Sequence, residues 1–196
     1  MNGKHTVFCT TLAALCFSAV ASAATVQAAQ TVQPKAQATT IPDQEWSEEL
    51  PESSHRFDCG NARGKVLIGR LHHGDENDNT KYKCATVMQF GERPAPENIE
   101  ELENYPASGN EVVCPTNKVF IGRAHGGDEN AYEVLMCANI LDAWNQPMGV
   151  IPSETWSQDL KEDGHQFECP ANSVMIGKYH KGDENGTTRY LCGTLW

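Results

Sequence analysis

One segment of the chain reads Val66-Leu67-Ile68-Gly69-Arg70-Leu71-His72-His73-Gly74-Asp75-Glu76-Asn77, and closely similar segments follow at 119–130 and 174–185. The shared pattern is Val-x-Ile-Gly-(Arg/Lys)-x-His-x-Gly-Asp-Glu-Asn. In each copy a cysteine follows the leading valine by eighteen positions, and another cysteine precedes the valine. Such a repeat predicts one structural unit that is built three times.

The three repeats span 43–90, 97–143 and 153–196, within one β-repeat domain predicted over 42–196. Repeats one and three also match ahead of their first cysteine, where both carry a tryptophan, a histidine and a phenylalanine: Trp46, His55 and Phe57, and Trp156, His165 and Phe167. At these places repeat two has Glu101, Asn110 and Val112. Repeat two is therefore the divergent copy.

The six cysteines of the repeats are two per unit. A repeated unit should repeat its own bond, which predicts one disulfide in each repeat. The predicted pairs are Cys59–Cys84, Cys114–Cys137 and Cys169–Cys192. Zinc is the rival explanation, but no Cys-x-x-Cys spacing is present and the chain has the start of an exported protein, so disulfides are favoured.

The first 23 residues have the pattern of a cleaved secretory signal peptide. They contain one lysine, Lys4, an apolar run over 7–20 and the small residues Ala21-Ser22-Ala23. Residues 24–41 are rich in alanine, glutamine and threonine and lack aromatic residues, which predicts a flexible leader. No other apolar run approaches the length of a membrane span. We expect a secreted or periplasmic protein without a membrane span.

The formal net charge of −11 restricts the class of partner. A negatively charged protein opposes contact with a phosphate backbone, which is bound by basic surfaces. The composition therefore argues against nucleic acid as a partner.

The apolar pattern predicts strands over 66–72 and around each second cysteine, joined by a turn at the Gly-Asp-Glu-Asn segment. In repeat two, the segment 96–102 begins with a proline and predicts a short helix. A unit of about fifty residues cannot bury both its faces alone, so the three units should share a core. We predict an all-β fold with a closed, pseudo-threefold body of trefoil or prism type. Three small β units in tandem are the alternative.

Strand alternation places Val66, Ile68, Arg70 and His72 on one face, unless a bulge at the glycine reverses it. The basic residue and the histidine would then lie at the edge of the core, near the acidic turn. The predicted ligand-binding residues are Arg70, His72, Asp75, Glu76, Asn77, Arg123, His125, Asp128, Glu129, Asn130, Lys178, His180, Asp183, Glu184 and Asn185.

Three kinds of role suit these residues. They could pair with one another and hold each hairpin together, without any ligand. They could form polar pockets for glycan hydroxyl groups, and three weak sites on one body would gain affinity by multivalency. They could also bind calcium, since Asp75, Asn77, Asp128, Asn130, Asp183 and Asn185 place oxygen atoms at alternate positions. Zinc at His72 with Asp75 has a single histidine per site and is the weaker metal hypothesis.

Catalysis has little support in the sequence, because Gly-x-Ser-x-Gly, His-Glu-x-x-His and P-loop motifs are all missing from it. We therefore predict a non-catalytic, lectin-like binding protein that recognises glycan through the triplicated motif, with no certain cofactor and with calcium as a candidate. The alternative is a protein-interaction module, such as an inhibitor, an adhesion factor or a virulence-associated factor. Such a module would use the exposed loops 89–96 or 145–152.

Overall fold

The structure is a computed structural model that describes residues 39–60, 64–75, 77–128, 131–183 and 185–196. The predicted signal peptide (1–23) and all of the predicted leader up to residue 38 lie outside the described residues. Four motif residues also lie outside them: Glu76, Glu129, Asn130 and Glu184.

The described residues form fourteen strands in three sheets and no helix, which confirms the all-β prediction. The strands are β1 (Glu45–Trp46), β2 (Leu50–Pro51), β3 (Ser54–Asp58), β4 (Lys65–His73), β5 (Asn79–Thr86), β6 (Pro96–Asn104), β7 (Glu111–Val113), β8 (Lys118–Gly126), β9 (Tyr132–Ile140), β10 (Val150–Pro152), β11 (Leu160–Lys161), β12 (Gly164–Glu168), β13 (Ser173–Lys181) and β14 (Thr187–Leu195).

A long antiparallel hairpin is the main element of each repeat. The hairpins are β4–β5, β8–β9 and β13–β14, and in each the first strand contains the motif from its valine to its histidine. The second glycine of the motif adopts a positive φ at all three turns, 70° at Gly74, 97° at Gly127 and 102° at Gly182. Glycine takes this conformation without steric cost, which explains why the motif has glycine there.

Each motif strand contains a register shift before its first glycine, between Leu67 and Gly69 in β4 and at the equivalent positions of β8 and β13. The bulge reverses the face that follows it. Arg70 therefore lines the same enclosed cavity as Leu67, whereas Val66 and Ile68 belong to another core cluster. This bulge is the exception that the sequence prediction allowed for, so Val66, Ile68, Arg70 and His72 do not share a face, because the extra residue of a bulge breaks the two-residue alternation.

The glycine after the bulge admits a neighbouring strand. A Cβ atom at Gly122 would lie 2.4 Å from the carbonyl oxygen of Phe57, and one at Gly69 would lie 2.7 Å from that of Phe167. Both carbonyls belong to short strands, β3 and β12, that pair with the motif strand of another repeat. Any larger residue would push the incoming strand away.

The short strands connect the three repeats. Strand β3 of repeat one pairs with β8 of repeat two, β7 of repeat two pairs with β13 of repeat three, and β12 of repeat three pairs with β4 of repeat one. The remaining strands stay with their own hairpins: β1 and β2 pair with β5, β6 pairs with β9, and β10 and β11 pair with β14. Each sheet therefore contains strands from two repeats.

The segment predicted as a helix in repeat two is strand β6. Its proline at the first position suits an edge strand as well as a helix start, because the missing N–H is not needed in either place. Pairing with β9 overrides the local helix signal, and a register shift between Glu97 and Glu100 accommodates Asn98, whose φ is 51°.

Two apolar clusters lie on the two sides of the hairpins. The first includes the valine and isoleucine of every motif: Val66, Ile68, Val119, Ile121, Val174 and Ile176. Burying one such side chain contributes about 1.5–3 kcal/mol. The second cluster surrounds the cysteines and includes Leu67, Phe120 and Met175.

The structure confirms all three predicted disulfides, Cys59–Cys84, Cys114–Cys137 and Cys169–Cys192. Each joins the residue after a short strand to the second strand of its own repeat's hairpin. Among the described residues, no helix is long and apolar enough to cross a membrane.

Candidate functional site

The basic residue of each motif lies in the interior. Arg70, Arg123 and Lys178 expose only 1%, 3% and 5% of their surfaces. All three line one enclosed cavity of about 10 Å³, which has room for no more than one water molecule. Charged side chains are buried to this extent only when they are paired.

Glu52 is the carboxylate shared by the first two cations. Its Oε1 atom accepts a hydrogen bond from Arg123 Nη1 at 2.7 Å, and Arg70 Nη2 lies 3.0 Å from the same oxygen at an angle that makes the contact ionic only. The Nδ1 atoms of His125 and His72 lie 3.3 and 3.6 Å from the carboxylate. Burial raises the pKa of Glu52, but Arg123 and Arg70 together hold this pKa well below its ordinary value.

Glu162 is the equivalent residue of repeat three. It accepts a hydrogen bond from Arg70 Nη1 at 3.1 Å and another from the hydroxyl of Thr188, and His180 Nδ1 lies 3.4 Å away. Although burial opposes ionisation, Arg70 and His180 keep the pKa of Glu162 well below its ordinary value. Arg70 is therefore held between two carboxylates that come from different repeats.

Glu133 is the third buried carboxylate. It accepts hydrogen bonds from Lys178 Nζ at 2.6 Å, from Arg123 Nε at 2.5 Å and from Asn104 Nδ2 at 3.1 Å. Against the effect of burial, Lys178 and Arg123 lower the pKa of Glu133. Three buried cations thus face three buried carboxylates, and their formal charges cancel.

Repeat two supplies its carboxylate from strand β9, whereas Glu52 and Glu162 lie in the turns that follow β2 and β11. Glu52 and Glu162 stand seven positions before the first cysteine of their repeats, where repeat two has Ala107. Glu133 stands four positions before the second cysteine, where repeats one and three have Thr80 and Thr188. The loss of one acidic residue in repeat two is therefore offset by the gain of another.

Two hydrogen-bonded chains extend from the arginines toward the surface. The Tyr82 hydroxyl accepts from Arg123 Nη1 at 2.8 Å and donates to His55 Nε2 at 2.7 Å, and His55 Nδ1 donates to the Pro51 carbonyl. The equivalent chain runs from Arg70 through Tyr190 and His165 to the Lys161 carbonyl. Repeat two has Leu135 and Asn110 at these positions, and Leu135 has no hydroxyl group that could take the place of the tyrosine's.

Four histidines beside this cluster, His55, His72, His125 and His165, have lowered pKa values and are uncharged at neutral pH. Burial, followed by the charge of Arg123, lowers the pKa of His55 and of His125 to about 4. Burial and Arg70 lower the pKa of His165 to about 4 and that of His72 to about 3. The buried charge cluster therefore remains balanced at neutral pH.

The acidic half of the motif lies at the tips of the hairpins. Asn77, Asp128, Asp183 and Asn185 are exposed, and Asp75 is half-buried. Asp75 Oδ1 accepts a hydrogen bond from the Asn77 amide at 2.8 Å. The carboxylates that pair with Arg70 come from Glu52 and Glu162, so Asp75 does not supply the ion pair expected from the sequence.

Within the described residues, no group of three or more histidine, cysteine, aspartate and glutamate side chains could hold a metal ion. Of the calcium candidates, Asn130 lies outside these residues, and so do the neighbouring Glu76, Glu129 and Glu184. A calcium requirement stays a prediction.

A surface pocket of about 320 Å³ opens beside Trp156. Its walls are mainly apolar, and several hydroxyl groups accompany the aromatic rings; the lining includes Trp156, Phe167, Ile151, Pro152, Ser153 and Thr155. Arg189 lies 5.9 Å from the centre of the indole ring. None of the described residues that line this pocket has a charged side chain, so the pocket suits an uncharged group.

Repeat one has a second pocket at the equivalent place, with a volume of about 210 Å³. Trp46, Ser47 and Phe57 line it as Trp156, Ser157 and Phe167 line the first pocket. It differs in containing two carboxylates, those of Glu45 and Asp58. Repeat two has Glu101 in place of the tryptophan, and Glu101 pairs with Arg56 on the surface.

Sequence reasoning missed the three buried glutamates. A signal was present for two of them, because Glu52 and Glu162 occupy the same place in matching repeats. Glu133 had no such signal, since only the structure shows that it pairs with Arg123 and Lys178. The tryptophans were noticed in the sequence, but their pockets depend on strands brought together by folding.

No family model matches this chain, and no curated protein or solved structure is significantly similar to it.

Proposed function

We propose that the chain is an exported, non-catalytic binding protein. The signal-peptide pattern of residues 1–23 and three disulfides in a small domain support export, because such bonds form in oxidising compartments. We also propose that the body is closed and pseudo-threefold, of prism type. The cyclic pairing of β3 with β8, β7 with β13 and β12 with β4 supports this arrangement over three tandem units.

The proposed ligand is a neutral glycan, bound at the pockets of Trp46 and Trp156. The observation that carries this proposal is that two matching repeats each place a tryptophan, a phenylalanine and a serine around a surface pocket. An aromatic ring suits the C–H face of a sugar, and hydroxyl groups suit its edge. The net charge of −11 disfavours anionic glycans.

The triplicated motif has a structural role in this proposal. Its arginines and lysine are buried and paired with glutamates, so a ligand would have to displace those partners to reach them. Breaking a buried ion pair in this way is costly. Glycan contact therefore moves from the motif, where the sequence predicted it, to the tryptophan pockets.

A glycan array that contains neutral, basic and acidic glycans tests the proposal, with parallel incubations in calcium and in EDTA. We expect binding to neutral glycans in both buffers. Calorimetry with the best neutral ligand should give two sites, and Trp46→Ala should reduce this number to one. Binding that disappears in EDTA would instead favour the acidic turns.

Trp156→Ala should weaken binding at the Trp156 pocket about tenfold. Trp156→Phe should retain most of the affinity of that pocket, since a phenyl ring keeps the stacking surface. Thermal unfolding of each variant separates loss of binding from loss of fold. Trp196→Ala is the matched control, because Trp196 is 72% exposed and lies outside both pockets. Two binding sites with unchanged affinity in the folded Trp46→Ala and Trp156→Ala proteins would overturn the proposal.

A further inference from the structure

Two exposed aromatic side chains meet on loops outside the repeated motif. Phe90 lies between β5 and β6, and Trp144 lies between β9 and β10. Their ring centres are 5.2 Å apart, with the planes at 77° in an edge-to-face arrangement. Even in this contact the two residues remain 43% and 68% exposed. The pair shares no residue with the tryptophan pockets.

Hydrogen bonds hold both loops in place. Gln89 and Glu92 exchange two backbone hydrogen bonds, and the Gln89 side chain accepts a third from the Ala143 amide at 3.2 Å. On the other loop, Asp142 Oδ1 accepts from the amides of Trp144 and Gln146, both at 2.8 Å. The aromatic pair is thus presented on a preorganised surface, which lowers the entropy cost of binding.

Phe90 has a backbone conformation that its side chain disfavours. Its φ is 53°, in the left-handed region that is sterically unfavourable for a bulky side chain and open to glycine. Because the Phe90 ring is nearly half exposed, its burial stabilises the fold too little to offset this strain. Strained residues of this kind are concentrated at functional sites, because a binding role can maintain them.

Charge indicates the chemistry of the partner. Asp142 and Glu92 are acidic and stand two positions from Trp144 and Phe90 along the chain, the nearby Arg93 is paired with Asp43, and the chain carries a net charge of −11. Aromatic faces beside carboxylates attract arginine and lysine side chains through cation–π and ionic contacts. A second copy of the chain would bring equal negative charge to the same place, which opposes self-association.

We propose that Phe90 and Trp144 form a docking surface for a basic segment of a partner protein, with arginine or lysine side chains on the aromatic faces. Phe90 lies in the loop 89–96 that the sequence indicated for protein interaction, and Trp144 lies immediately before the other such loop, 145–152. It is independent of the glycan proposal, since either surface could fail its test without affecting the other.

Fluorescence anisotropy with a labelled arginine–glycine peptide tests the surface, with a glutamate–glycine peptide as the charge control. The variants are Phe90→Gly, Trp144→Ala and their combination, none of which changes the net charge. We expect each single variant to weaken arginine-peptide binding about threefold and the double variant about tenfold. Phe90→Gly should not lower the melting temperature, because its backbone conformation suits glycine.

Tyr105→Ala and Trp196→Ala are matched controls, since both residues are aromatic and highly exposed elsewhere on the surface. They should leave the affinity unchanged. Equal binding by the double variant and the wild type would overturn the proposal, as would equal losses in the controls. Sedimentation that shows a dimer abolished by Trp144→Ala would replace the basic partner with a second copy of the chain.

Discussion

Glu133 Oε1 lies 2.6 Å from Lys178 Nζ in the interior of the protein, and the two residues belong to different repeats. The same oxygen accepts from Arg123 Nε, so one carboxylate of repeat two serves cations of repeats two and three. This pairing occurs because Ala107 stands where the other repeats have Glu52 and Glu162. Each repeat therefore contributes one buried cation and one buried carboxylate, but the ion pairs form between repeats as well as within them.

The first prediction concerns this exchange of positions. Glu133→Thr should lower the free energy of unfolding by about 3–5 kcal/mol, because it leaves buried cations without their carboxylate. Adding Ala107→Glu to that variant recreates the arrangement of repeats one and three and should restore at least half of the loss. Urea unfolding measures the coupling in a double-mutant cycle. Glu103→Thr, at an exposed position of β6, is the control; strictly additive effects would refute the compensation.

The second prediction separates a structural role of Arg70 from a ligand-binding role. Arg70→Met should lower the free energy of unfolding by about 3–5 kcal/mol, since Glu52 and Glu162 lose a shared partner. Arg56→Met removes an exposed pair with Glu101 and should cost less than about 1 kcal/mol. Chemical denaturation gives both values. A large loss of glycan affinity without loss of stability would return Arg70 to the binding site.

The third prediction is that the fold begins to lose stability at pH values well above those at which carboxylates titrate. Burial and nearby cations lower the pKa of His55, His125 and His165 to about 4 and that of His72 to about 3, from an ordinary value of 6.5. Between these limits the unfolded chain binds more protons than the folded chain, so stability falls as the pH falls from 6.5. Each such histidine lowers the free energy of unfolding by up to about 1.4 kcal/mol for each unit by which the pH falls in this range. The glutamates, whose pKa values are also lowered, extend the loss below pH 4.5.

The melting temperature measured from pH 8 to pH 4 checks this effect. His165→Asn should flatten the profile, since asparagine does not titrate and occupies the same place in repeat two as Asn110. The matched control is His73→Asn, at an exposed position outside the charge cluster. A profile that is flat down to pH 4.5 in the wild type would contradict the neutral state of these histidines.

The fourth prediction concerns the disulfides. Replacing Cys114 and Cys137 by alanine opens a loop of 23 residues and should cost about 3 kcal/mol, mainly by freeing the unfolded chain. The equivalent double replacement of Cys169 and Cys192 should cost a similar amount, because its loop has the same length. Thermal unfolding with and without a reducing agent measures both. A variant as stable as the oxidised wild type would show that the bond contributes nothing to stability.

Repetition made part of this structure predictable. Three aligned motifs were sufficient to pair all six cysteines and to locate the hairpins, because a repeated unit repeats its local contacts. The strand at 96–102 was wrongly predicted as a helix, since pairing with β9 is a tertiary effect that its local pattern does not encode.

The location of the basic residues was harder to predict. The bulge at Ile68 adds one residue to the strand, so the Arg70 side chain lies on the face opposite to the one that simple alternation predicts. The alternation of apolar residues in the sequence does not reveal the bulge. The glutamates that pair with Arg70 lie outside the motif, one of them 92 residues away along the chain. Only the exchange of strands between repeats brings these residues together.

The pairing of β12 with β4 also constrains the order in which the chain can fold. A chain of which only the first two repeats are available lacks the strand β12 that completes its first sheet. In such a chain Arg70 also lacks its partner Glu162. Contacts this distant in sequence slow folding, because a long loop must close before they form. The last third of the chain must therefore be available before the first third can reach its native state.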